Sequence, residues 1–284
     1  MLIIALIAIA MPALAATEQQ RFTTVDQAVN ALVTAASSRD TNAMNAMFGP
    51  PAHDLISADA VQATTEYELF LQRLTNKVEQ ARESDSKVRL RLGQDGWTFP
   101  IPLVQQDGRW VFDTVAGEQE ILNRRIGMNE IGAIQVCRAY VTAQREYAAK
   151  DRNDDGVLEY AQLLRSNRET HDGLYWPSHP DEELSPLGPL IAQERVEGYR
   201  RENRILGDPQ SPYHGYYFKI LTRQGKHAPG GKHDYIINGH MIAGFGLVAW
   251  PAEWGNSGIM TFTVNQQGAI HQKNLGPKTP SAAQ

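Results

Sequence analysis

The sequence predicts an α+β protein built in two successive parts, and three observations carry that reading. Apolar residues recur at helical spacing from residue 25 to about residue 81, then alternate like strands as far as Asp113. A second helical stripe begins near Asn129. The last third of the chain alternates again, with Gly or Pro between the segments, as antiparallel connections require. With 284 residues, 42% hydrophobic and 21% charged, the chain can bury a core in each part.

In the first part, Thr24 caps a helix from Val25 to about Ala36, whose stripe is Val25, Ala28, Val29, Leu32 and Val33. Thr41 opens a short helix that ends near Phe48, where Gly49-Pro50-Pro51 stops it. A third helix is expected from Ala60 to Ala81, carrying Tyr67, Phe70, Leu71, Leu74 and Val78. Val88, Leu90 and Leu92 then alternate with charged residues. The segments Trp97 to Val104 and Arg109 to Asp113 flank Gln105-Gln106-Asp107-Gly108, a hairpin signal. Helices followed by a meander closing on QQDGRWVFD resemble the cone-shaped fold of the nuclear-transport-factor-2-like superfamily. That resemblance implies a fold that often encloses a pocket.

Ala116 to Ile126 reads as a connecting helix. A helix of about 20 residues starts at Asn129 with the stripe Ile131, Ile134, Cys137, Val141 and Ala148. A polar loop, Asp151 to Gly156, leads to a short helix holding Leu158, Ala161, Leu163 and Leu164. After an irregular Pro- and Trp-containing stretch, strands are expected at Tyr213 to Leu221, Asp234 to Ile237, Ile242 to Trp250, Ile259 to Val264 and Ala269 to Gln272. A long helix, a variable loop and an antiparallel sheet make this half similar to the globular domain of type II secretion major pseudopilins. AIQVCRAYVTAQREYAAKDRNDDG and SGIMTFTVNQQGAI carry that likeness, although over a hundred residues precede the helix here. The domain organisation expected is a signal peptide at 1–15, an N-terminal α+β domain at 20–127, a C-terminal pseudopilin-like domain at 128–276, and a flexible tail at 277–284.

MLIIALIAIAMPALA is uncharged and apolar, is broken by Pro12, and ends in the small-x-small pattern Ala13-Leu14-Ala15. It falls short of the roughly 20 apolar residues that span a bilayer. A secretory signal is expected, with no stable membrane insertion once it is removed and a periplasmic or secreted location. A formal charge of -5 gives no electrostatic reason to expect nucleic acid as a partner. Cys137 is the only cysteine, which excludes an intramolecular disulfide, a thiolate metal cluster and a CxxC redox role.

Asp151-Arg152-Asn153-Asp154-Asp155-Gly156-Val157-Leu158-Glu159 sets oxygen ligands at positions 1, 3, 5 and 9 of an EF-hand-like loop, with Gly at 6. Asp151, Asn153, Asp155 and Glu159 are therefore candidate calcium ligands. Position 12 is Gln162 and not the bidentate Glu, so a solvated turn is the competing reading. Gly244-Phe245-Gly246-Leu247-Val248-Ala249 matches a dinucleotide fingerprint by letters only, because the apolar run continues as a strand to Pro251. Ser84 to Lys87 spells S-x-x-K without its companion motifs. His214, His227, His233 and His240 fit no zinc spacing. Tyr213, Tyr216, Tyr217, Phe218, Trp250 and Trp254 offer either an exposed aromatic face, with Trp176 beside it, or the core side of strands.

The words GWTFPIPLV, GRWVFDTVAGEQEILNRRIGMNEIGAIQ, YVTAQREYA, DGLYWP, SPLGPL, YHGYYFKILTRQG and GFGLVAWPAEWGNSGIMTF span nearly the whole mature chain. They resemble an exported bacterial family catalogued as domain of unknown function 2950. The resemblance implies a periplasmic or secreted protein and brings no activity with it. Lacking a catalytic motif, the sequence reads as a non-enzymatic binding or assembly factor for an envelope protein or ligand, with no certain cofactor besides calcium as a candidate. The alternative is a hydrolase acting on envelope material through residues remote in sequence, for which Asp172, Glu253 and His240 are candidates. Mass spectrometry of protein from a native host is expected to show a mature chain starting near Ala16. A membrane-embedded product retaining Leu2 to Met11 would overturn export.

Overall fold

The computed structural model describes residues 19–49, 60–167, 170–177, 183–191 and 212–283. The expected signal peptide and the Pro50-Pro51 helix stop lie outside them. The chain divides into two compact units, Met1–Ile121 and Leu122–Gln284. Both combine helices with mainly antiparallel sheet, as the α+β reading requires.

In the first unit, polar caps set the helix boundaries. Thr24 Oγ1 accepts from the Gln27 N–H at 3.2 Å, and Gln27 Oε1 accepts from the Thr23 N–H at 3.1 Å. These bonds satisfy amides that a helix start leaves without partners. Helix α1 (Val25–Ser38) ends at Arg39, whose left-handed φ of 53° turns its N–H back to the Ala35 and Ala36 carbonyls. Asp40 caps α2 (Thr41–Phe48) through the Ala43 N–H at 3.0 Å. Helix α3 (Ala60–Asn76) stops five residues short of the expected Ala81. The Gly93 N–H donates to the Arg73 and Lys77 carbonyls at 3.1 and 2.9 Å, which closes the helix end.

Residues expected as the last turn of α3 instead form β1 (Val78–Ser84), paired antiparallel with β2 (Lys87–Leu92). VEQARES is a helix-favouring composition, and tertiary pairing overrides it. β3 (Trp97–Thr98) adds to β2, while β4 (Leu103–Gln106) and β5 (Arg109–Phe112) complete the order β1-β2-β4-β5. Asp107 and Gly108, with φ of 50° and 72°, make the predicted two-residue hairpin turn. Leu32, Leu90, Leu92, Leu103 and Phe112 are fully buried between sheet and helices. Phe112 meets Phe48 and Phe99 at ring-centroid distances of 5.2 and 6.3 Å.

In place of two helices the structure has one, α4 (Thr114–Tyr147), about 51 Å long. Its start belongs to the first unit and the rest to the second. Gly127 does not interrupt it, and Ile131, expected on the core stripe, is 58% exposed. The buried face is Ala133, Val136, Cys137, Tyr140, Val141, Ala143, Gln144 and Tyr147. A count of apolar residues misplaces the face because it skips the fully buried Gln144.

That face packs into the core of the second unit, whose main sheet runs β15-β14-β13-β8. The smaller ladders come before it or lie between its strands. β6 (Leu163–Arg165) pairs in parallel with β7 (Gly173–Tyr175). After β8 (Tyr216–Leu221), β9 (Arg223–Gln224) pairs β10 (His233–Asp234), and β11 (Ile236–Ile237) pairs β12 (His240–Met241). β13 (Gly246–Pro251) is central and buried at every residue, flanked by β8 and β14 (Met260–Asn265), with β15 (His271–Asn274) at the edge. Gly246 therefore opens a strand and Gly244, with φ of 136°, lies just before it, so no helix follows as a phosphate-binding turn requires. Tyr216, Phe218, Trp250 and Trp176 are buried in the core, while Tyr213, Tyr217 and Trp254 are half-buried.

Two further expectations give way. Residues 158–162 are extended rather than helical, since Tyr160 N–H donates to the Met241 carbonyl at 2.9 Å. The expected flexible tail forms a 3-10 turn, Gly276–Lys278, and a short helix, Thr279–Ala283. Its Thr279 is fully buried and donates to the Gly276 carbonyl at 2.6 Å. Among the described residues no helix is long and apolar enough to cross a membrane.

Gly173 lies against the neighbouring strand so closely that an added Cβ would meet the Arg165 and Ser166 backbone at 2.5 Å. Gly173→Ala is expected to lower stability by roughly 1–3 kcal/mol, since backbone cannot swing aside. Gly225→Ala, with open space around it, is expected to stay within about 0.5 kcal/mol. Thermal unfolding of the two variants beside the parent checks this; equal melting temperatures would remove the close packing. Cys137 is fully buried on α4, and burial pushes its thiol up to about 12. A disulfide reagent at pH 8 is expected to modify it only as fast as the fold opens. Labelling within the mixing time would place the thiol outside the core.

Candidate functional site

The residues after Tyr147 hold almost no regular backbone pairing of their own, and side chains of α4 fix them. Gln144 is the main support. Its Nε2 donates to the Ala161 carbonyl at 2.8 Å and its Oε1 accepts from the Ala161 N–H at 2.8 Å. The same Nε2 donates to Tyr140 Oη at 3.0 Å, and Tyr140 donates to the Gly246 carbonyl at 3.0 Å. A continuous polar chain therefore runs from the central strand through α4 to the segment 158–162.

Arg152 is the second support. Its guanidinium lies over the Tyr147 ring at 4.9 Å and the Trp176 ring at 5.2 Å, and it donates to the Tyr147 carbonyl at 3.2 Å. Glu183 pairs with it at 3.2 Å, and the side chain is only 6% exposed. Arginine suits this place because its charge is spread over a plane that stacks on aromatic faces. His171 stacks on the same Trp176 at 4.3 Å, and the Tyr147 hydroxyl donates to the His171 carbonyl at 2.9 Å.

Beside these supports lies an open pocket of about 760 Å³, lined among others by Tyr147, Arg152, Glu159, Tyr160, His171 and Asp172. Burial opposes the Asp172 charge. Thr170 Oγ1 at 2.6 Å and Asn167 Nδ2 and N at 2.6 and 2.8 Å together outweigh it and hold the carboxyl below its usual range. Both carboxylate oxygens are thereby fixed in place on the pocket lining.

Of the predicted calcium residues Asn153 and Glu159 line the pocket, Asp151 and Asp155 do not, and the four are in two different states. Asp151 spends its carboxylate inside the loop, accepting from the Gly156 N–H at 2.8 Å and the Asn153 N–H at 3.3 Å. The Gly156 bond leads in holding its carboxyl below the usual range. Asn153 Nδ2 donates to Asp155 Oδ2 at 2.8 Å and Glu159 Oε1 at 3.1 Å, bringing those three together. Asp155 also accepts from the Val157 N–H at 2.8 Å. His240, thought unrelated on spacing alone, joins them, with Nδ1 3.5 Å from both Asp155 Oδ2 and Glu159 Oε2.

The other residues named for a remote catalytic site divide. Asp172 lines the pocket, and His240 meets Glu159 on its wall. Glu253 sits in the 253–257 turn, where Asn256 Nδ2 donates to it at 2.8 Å, and it is not a lining residue. Sequence reasoning missed Gln144, Arg152 and the partnership of His240. Asn238-Gly239 just before His240 was the available signal: their φ values of 52° and 92° turn the β11–β12 hairpin back toward residue 159.

No curated protein and no solved structure matches the chain, so its likenesses to pseudopilins and to the nuclear-transport-factor-2-like fold are not confirmed. A family model does match, over residues 19–284, which covers both units described above. The chain belongs to the family described as Protein of unknown function (DUF2950).

Proposed function

We propose that the protein is a non-enzymatic binding factor of the bacterial envelope, periplasmic or secreted, whose second unit takes a small hydroxyl-rich ligand in the pocket beside the end of α4. The state of Asp172 carries this reading. A general base works best when its pKa lies near the working pH, whereas this carboxyl is held down as a fixed charge by its hydrogen bonds to Thr170 and Asn167. Arg152 is committed to Glu183 and to two aromatic faces, so it shapes the wall rather than supplying a mobile charge. Glu159 and Asp172 then offer acceptors, Asn153 and Gln162 offer amide oxygens, their nitrogens being engaged by Asp155, Glu159 and the Gly239 carbonyl, and Tyr160 and His171 offer ring surface. Such a mixture fits hydroxyl groups better than a phosphate or a long acyl chain.

Titration calorimetry with soluble cell-wall glycan fragments tests the proposal. Saturable binding is expected, weakened about tenfold by Asp172→Asn, the cost of one charge-assisted hydrogen bond. Mass spectrometry of the same mixtures is expected to return the fragments intact. Cleaved fragments would establish the hydrolase alternative in its place, and absence of saturable binding would remove the pocket from the reading.

A further inference from the structure

We infer that Asp155, Glu159 and His240 form a binding site for a divalent ion of the zinc class beside the pocket, which Glu159 also lines. One ligand atom from each lies within 4.8 Å of the other two. Two come from the 151–159 loop and the third from a hairpin some eighty residues later in the chain, so their meeting is a product of folding.

The histidine geometry points to an ion. His240 Nδ1 is shut off from solvent and has no hydrogen-bond partner. It stands 3.5 Å from a carboxylate oxygen on each side. A charge-assisted hydrogen bond would draw such a pair to about 2.7–2.9 Å. Two ligands bound to one tetrahedral ion at about 2.1 Å each lie roughly 3.4 Å apart. Both observed separations match that edge. The two carboxylates offer ligand atoms within 4.8 Å of each other.

The surroundings hold these ligands in place. Glu159 Oε2 accepts from the Met241 N–H at 3.3 Å, beside His240. Tyr160 N–H donates to the Met241 carbonyl at 2.9 Å, and Gln162 Nε2 to the Gly239 carbonyl at 2.7 Å. The loop and the hairpin are thus laced together on either side of the three ligands. Asn153 bridges the two carboxylates through its Nδ2 and is the nearest outer support. Support of this kind matters for affinity because it orients the ligands before the ion arrives.

Ligand type decides the class of ion. Calcium asks for six to eight oxygens, and Asp151, the first position of a calcium loop, already serves the amides of Gly156 and Asn153. One imidazole with two carboxylates suits zinc, cobalt or manganese. Three protein ligands leave a coordination position open, and Glu159 also lines the pocket.

The test uses tag-free full-length mature protein, stripped with EDTA and titrated with Co²⁺ and then Zn²⁺. One equivalent of cobalt is expected to give visible d–d absorption that zinc removes. Zinc is also expected to shift the imidazole ¹⁵N resonances of His240 in the unsubstituted protein. His240→Gln and Glu159→Gln are each expected to weaken zinc binding at least about tenfold, and Asp151→Asn to leave it unchanged. Failure to take up either metal overturns the site, and so does a zinc shift confined to other histidines, whatever the variants do. A melting-temperature rise with Ca²⁺ that Asp151→Asn abolishes, with zinc inert, would restore the calcium loop instead.

Discussion

Gln144 is the residue on which the second unit's irregular half depends. An amide side chain buried in an apolar core costs several kcal/mol unless all its polar atoms are paired. Here both Nε2 hydrogens and Oε1 are paired, two of the three bonds going to the backbone of a single residue, Ala161. The arrangement fixes the Ala161 peptide as a neighbouring strand would, but from a helix. Tyr140 passes the connection on to Gly246 in the fully buried strand β13. Everything from Asp151 to Arg165 hangs from that point, including the two residues of the loop that reach His240.

The charged groups around it are arranged to cost little. Arg152 is nearly buried, yet it keeps Glu183 as a counter-charge, two ring faces and a carbonyl. Lys150 reaches the same Glu183 carboxylate at 2.8 Å from a far more exposed position. The exposed pair contributes little on its own. The buried guanidinium contributes shape, since removing either ring or Glu183 would leave a charge without its surroundings. The first unit treats charge differently. On the exposed edge strand β1, Glu83 pairs with Lys87 at 3.1 Å, and Glu79 faces Arg91 across the ladder at 3.9 Å. A charged outer edge of this kind discourages pairing with another chain.

Much of the architecture was legible in the sequence, for reasons that can be named. Caps and turns act locally, so Thr24, the end of α2 at Phe48 and the Asp107-Gly108 hairpin were read in place. Strands with strict alternation, such as Lys87–Leu92, were equally plain. What escaped was decided at a distance. β1 has helical composition and is a strand because β2 needs a partner. Residues 158–162 carry apolar letters near helical spacing and are extended because Gln144 and the β11–β12 hairpin take their backbone groups. Ile131 looked like core because a polar Gln144 in the true stripe hid its phase.

The candidate site shows the same division more sharply. The acidic loop is visible as a motif, and Asn153, Asp155 and Glu159 do come together. The fourth letter of that motif, Asp151, is equally acidic and yet turned inward, because its carboxylate is the nearest acceptor for the Gly156 amide. A motif records which residue types are present but not which oxygens the backbone has already claimed. His240 shows the converse. Its spacing to any other histidine means nothing, since its partners are carboxylates some eighty residues earlier and its position is set by a two-residue turn. In a chain with one cysteine, such a site is assembled from loops pinned to a helix. The pins, Gln144 and Arg152, matter to its geometry as much as the residues that face the pocket.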